Sequence, residues 1–178
     1  MRLLQTKYHG FTLIELIITV AISALVVGGG IAGFVGFTER QEVLNTAKEV
    51  QQKMRTAQSK ARVRDLPNQN CVLASYEVSF GATNNQAILR PICSPTAVAA
   101  LPAYSFPSGV TIQSKIGAGL YTTPKVIRFT TLENGVTDNA VTPALLTDSV
   151  TYKVSEGAIG YIFTVSPNGS ISNVTKAP

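Results

Sequence analysis

Gly10-Phe11-Thr12-Leu13-Ile14-Glu15-Leu16 opens an apolar run that continues to Phe37, and Glu15 is the only ionisable side chain between Phe11 and Phe37. Wound as a helix at about 1.5 Å per residue, residues 11–37 are long enough to cross the roughly 30 Å hydrocarbon core of a bilayer. A membrane-spanning helix is therefore expected there. A carboxylate close to the start of such a helix costs about 2.5–3.5 kcal/mol at the bilayer centre and less at its edge, so it calls for a cation at the same depth. Cleavage after Gly10 would create one, the free amine of Phe11. In a bundle of parallel copies, one subunit's amine would face the next subunit's Glu15, which gives the charge a purpose only in an assembly.

The competing interpretation is an ordinary secretory signal, with Arg2 and Lys7 as its basic end and cleavage near Gly30-Ile31-Ala32. Glu15 argues against it. So does the chain beyond residue 38, which continues directly into an amphipathic helix: Val43, Ala47, Val50, Met54, Ala57 and Ala61 alternate four and three residues apart and make one narrow apolar stripe. Thr38 could cap a new helical stretch, but no proline intervenes between Phe11 and Asp65, so one long helix ended by Asp65-Leu66-Pro67-Asn68 is the simpler expectation. Gly28, Gly29, Gly30, Gly33 and Gly36 weaken its membrane half, and Gly29 and Gly33 supply the small-residue spacing of close helix packing.

After Pro67 the periodicity changes to two. Val72, Ala74, Tyr76, Val78 and Phe80 alternate, as do Val150, Tyr152 and Val154, then Ile159, Tyr161, Phe163 and Val165, which predicts antiparallel strands each with one buried face. Pro167-Asn168-Gly169 has the chemistry of a turn between 161–166 and 170–174, predicting a C-terminal hairpin. Residues 88–92, 110–114 and 126–131 are further strand candidates, and 94–107 and 132–146 read as loops.

Gly10-Phe11-Thr12-Leu13-Ile14-Glu15 resembles, nearly residue for residue, the prepilin cleavage motif of type IV pilins and type II secretion pseudopilins. The resemblance implies that a prepilin peptidase cuts after Gly10 and methylates Phe11, and that Glu15 guides docking into a growing filament. It also implies the α+β pilin fold. In that fold 1–10 is the leader, 11–37 the transmembrane and filament-core helix, 38–65 the amphipathic helix, and 66–178 an antiparallel β-sheet domain. Its partners would be other pilins or pseudopilins through the N-terminal helix, the peptidase and the cytoplasmic membrane, with the globular domain on the periplasmic or extracellular side. The segment Val50-Gln51-Gln52-Lys53-Met54-Arg55-Thr56-Ala57-Gln58-Ser59-Lys60-Ala61 is similar to minor pseudopilins of the GspH/FimT type.

The chain has 178 residues and a net charge of +5, of which Arg2 and Lys7 would leave with the leader. Basic residues flank the apolar run on both sides, so charge counting does not orient it. Cys71 and Cys93 are either a disulfide, if the domain lies in an oxidising compartment, or two buried thiols. The only histidine, His9, lies in the leader, and no phosphate-cradling loop, nucleophile elbow or metal-ligand spacing is present. Asp138 and Asp148 share a polar stretch without a calcium-binding pattern. The sequence therefore gives no enzyme, metal or cofactor reading. It points to a structural filament subunit, with a DNA-binding minor pilin as the alternative. The DNA contacts would be Lys53, Lys60 and Arg64 on the helix, or Lys115 and Lys125 in the loops. The plainer role for the helix cations is favourable interaction with the C-terminal dipole, their stems covering apolar surface.

Overall fold

The computed structural model describes residues 10–67, 70–94, 98–131, 135–138 and 145–178. Among these residues are one helix, α1 (Leu13–Val63), and nine strands that follow it, and the chain divides into two compact units, Met1–Glu39 and Arg40–Pro178. Of the expected leader, residues 1–9 lie outside the described residues. In the first unit the large apolar side chains from Leu13 to Val27 are all more than half exposed, and the helix is long and apolar enough to cross a membrane. Thr38 starts no new helix. Its hydroxyl donates to the Phe34 carbonyl one turn back, at 3.0 Å, and α1 continues without a break.

In the second unit the stripe Val43, Ala47, Val50, Met54, Ala57 and Ala61 is buried, each residue at most 1% exposed. The helix ends in a Schellman arrangement: Asp65 N donates to Lys60 O at 3.0 Å and Arg64 N to Ala61 O at 3.2 Å. That geometry puts Arg64 at φ 51°, where a glycine would be unstrained.

Against the helix stripe lie the inner faces of two antiparallel sheets. The first has the strand order β3-β2-β1-β5-β6, from β1 (Val72–Phe80), β2 (Gln86–Ser94), β3 (Tyr104–Ser105), β5 (Ile127–Thr130) and β6 (Val136–Asp138). The second has the order β4-β7-β8-β9, from β4 (Thr111–Ile116), β7 (Val150–Glu156), β8 (Ile159–Val165) and β9 (Thr175–Lys176). Tyr76, Val78, Ile127 and Phe129 from the first and Ile112, Tyr152, Val154, Phe163 and Val165 from the second join the helix stripe in one apolar cluster. Tyr152 is central. Its ring stacks on Phe163 at 5.4 Å and its hydroxyl donates to the Lys125 carbonyl at 2.7 Å. Burial pushes the Tyr152 hydroxyl far above its ordinary pKa. Gln51 and Gln58 clip the helix to the C-terminal segment, their amides donating to Ser172 O at 2.5 Å and Gly169 O at 2.6 Å.

Three expectations change. The stretches 94–107 and 132–146, expected as loops, contain β3 and β6, strands of two and three residues that are too short to show any period. Val72 and Ala74 are exposed rather than continuing the buried face of Tyr76 and Val78. A register shift between Leu73 and Ser75 turns the inward phase by one residue, so Cys71 is buried instead. The C-terminal turn forms, with Gly169 at φ 84° and Gly169 N donating to Ser166 O, but 170–174 pairs only through an Ile171–Val165 bridge. The regular pairing to β8 comes from Thr175 and Lys176.

Candidate functional site

The helix begins at Leu13, not at Phe11, because Thr12 caps it. The Thr12 hydroxyl accepts from Glu15 N at 3.4 Å, and Leu16 N reaches Thr12 O at 3.2 Å. Thr12 and Glu15 stand in the threonine-x-x-glutamate relation of a capping box, with Glu15 in the first turn where the helix dipole favours a carboxylate. Thr12 is the functional residue that the sequence reading passed over, and the capping-box spacing was the signal for it. Gly10 and Phe11 lie before the helix, both exposed, and Phe11 is 77% exposed. Glu15 is exposed and makes no ion pair among the described residues.

Cys71 and Cys93 form a disulfide, brought together across β1 and β2 by the register that sets Leu73 opposite Cys93. Closing a loop with a sequence separation of 22 contributes about 3 kcal/mol in the chain-entropy picture.

The five cations suggested for phosphate contact fall in different settings. Lys53 is half-buried and donates to the Pro102 carbonyl at 3.3 Å. Lys60 is paired with Asp65, and the hydrogen bond to that carboxylate raises its pKa. Arg64 is exposed at the helix end, and Lys125 is exposed just before β5. Lys115 points outward from β4, its ammonium 5.1 Å from the centre of the Tyr121 ring. On its other approach that ring meets Lys153 of β7 at 5.6 Å, a cation the sequence reading did not single out. Among the described residues no group of three or more metal-ligating side chains occurs.

A family model described as the prokaryotic N-terminal methylation motif matches residues 5–31. The minor pseudopilin EpsH from the Type 2 Secretion System of Vibrio cholerae superimposes with a TM-score of 0.53, covering 74% of this chain and 94% of its own at 9% sequence identity. The motif is of the prokaryotic N-terminal methylation type, and the fold is similar to that of a minor pseudopilin. Comparison with curated protein sequences gives no match. The matched motif contains Thr12 and Glu15, the two residues that start the helix, and the fold match concerns the helix-on-sheet architecture alone.

Proposed function

We propose that the chain is a minor pilin or pseudopilin, anchored in the inner membrane by residues 11–37 and assembled through its N-terminal helix after prepilin peptidase removes residues 1–10. Glu15 carries this proposal: it is a carboxylate in the first turn of an exposed apolar helix that makes no ion pair among the described residues, one position where a neighbouring subunit can supply a counter-charge. The methylation motif over residues 5–31 supports Phe11 as the methylated residue of the mature chain. The Cys71–Cys93 disulfide supports a globular domain on the oxidising side of the membrane.

The charge and the cap are separable by experiment. Glu15→Gln keeps the side-chain length and the capping-box spacing but removes the charge, so the variant folds, inserts and shows Phe11 as its N-terminus by mass spectrometry. Its recovery in sheared or crosslinked filament fractions falls at least tenfold. Wild-type recovery of Glu15→Gln would refute the docking role, and an N-terminus at Met1 in the wild-type protein would refute the processing.

A further inference from the structure

The outer face of the second sheet carries a cationic groove that no part of the filament reading uses. Register places Lys115 opposite Thr151 and Lys153 opposite Ile162, so these side chains stand on the face opposite Ile112, Tyr152 and Val154, which fill the core. With Tyr121 and Thr164, and with Ala177 and Pro178, they line a groove of about 260 Å³. Both ammonium groups converge on the one tyrosine ring, and neither makes an ion pair among the described residues. Of the carboxylates at the two ends of β7, Glu156 lies against Gly109, and Asp148 pairs with neither lysine among the described residues. Two like charges held on one ring leave a positive centre that a counter-charge from outside would neutralise.

The groove is also preformed. The loop that carries Tyr121 is pinned at its base by Gly117 N to Ser149 O, Gly119 N to Ile116 O and a reciprocal pair between Ser114 and Thr122. Lys125 N donates to the buried Ser114 hydroxyl at 2.8 Å. On the floor, the Thr151 and Thr164 hydroxyls are bonded to each other at 3.1 Å. Leu120, which precedes Tyr121 in the chain, is 87% exposed. Little ordering remains to be done on binding, which favours affinity.

We infer that this groove binds an acidic, extended segment of a partner protein, with carboxylates on Lys115 and Lys153 and an apolar side chain against Leu120 and Ile162. The footprint favours peptide over nucleic acid. Duplex binders neutralise about 6–10 phosphates along a track, whereas this groove offers two adjacent ammonium groups, and Lys53, Lys60 and Arg128 are turned to oxygens of their own chain. The inference holds whether or not residues 1–10 are removed and whether or not Glu15 docks into a neighbour.

The test is fluorescence anisotropy on the full chain in detergent micelles, using a labelled eight-residue peptide of alternating glutamate and leucine. A lysine–leucine peptide and a single-stranded oligonucleotide of the same charge as the acidic peptide serve as competitors. Saturable binding of the acidic peptide is expected, weakening with salt and reduced at least tenfold in Lys115→Gln/Lys153→Gln, while Lys53→Gln/Lys176→Gln binds like the wild type. Lys115→Glu/Lys153→Glu should reverse the preference towards the lysine–leucine peptide. Absence of binding, equal or better binding of the oligonucleotide, or affinity unchanged in the Lys115 and Lys153 variants would overturn the inference.

Discussion

Replacing Met54 tests whether the second half of the helix belongs to the folded domain or merely rides on it. Met54 is fully buried within the cluster formed by the helix stripe and both sheets, and the domain core draws on no residue before Val43. A fragment beginning at Thr38 therefore contains the whole core and should be soluble and cooperative. In that fragment Met54→Ala removes a buried side chain and leaves a cavity, a loss of about 2–5 kcal/mol. Taking the middle of that range, the melting temperature falls by roughly 10 °C. Met54→Asp adds the burial of a carboxylate with no cation beside it, several kcal/mol more, against a total stability of about 5–15 kcal/mol. That variant should not fold at 37 °C. Gln52→Asp, two residues away on the exposed face, is the control and should stay within about 0.5 kcal/mol of the parent. Circular dichroism melts with urea titrations read all three. A Met54→Asp fragment melting with the parent would mean that the stripe is not part of the domain core, and the helix-on-sheet account would fall with it.

Two further outcomes follow from single sites. Arg64→Gly relieves a left-handed backbone position at the helix end and should raise stability by about 0.5–1 kcal/mol in the same melts, since the strain relieved exceeds the added freedom of the unfolded glycine; a lower melting temperature would refute the assigned cap. Tyr152 has its folded-state pKa raised by burial above the ordinary value near 10, so its contribution is complete below about pH 10 and is lost as pH rises further, with a limiting slope of about 1.4 kcal/mol per pH unit. Burial raises Tyr76 and Tyr121 in the same direction, so Tyr152→Phe should flatten the alkaline loss without abolishing it, and an unchanged slope would show that Tyr152 is not the principal group.

What could be read in advance depended on how many residues repeat a signal. The helix stripe repeats over five turns, and the membrane run over seven, so both were visible from spacing alone. β7 and β8 alternate over seven residues each and were equally plain. β1 was half legible, because the register shift at Leu73 and Ser75 leaves no mark in a sequence whose apolar residues keep alternating through it. β3 and β6 exist only because neighbouring strands offer them an edge. The Lys115–Tyr121–Lys153 cluster was invisible for a different reason: it needs the β4–β7 register, which no local pattern states. Thr12 is legible in the sequence, because it stands three residues before Glu15, the spacing of a capping box.

That threonine has a consequence for the peptide bond in front of it. Were the helix to run on through Phe11 and Gly10, the scissile link proposed between them would be wound into a turn, its carbonyl engaged four residues ahead. A protease site must present backbone in extended form. By fixing the first turn at Leu13, Thr12 acts as a ruler that leaves Gly10 and Phe11 unwound ahead of the apolar helix, whatever its length. On the processing proposed above, the same short side chain that begins the helix would keep the door to cleavage open.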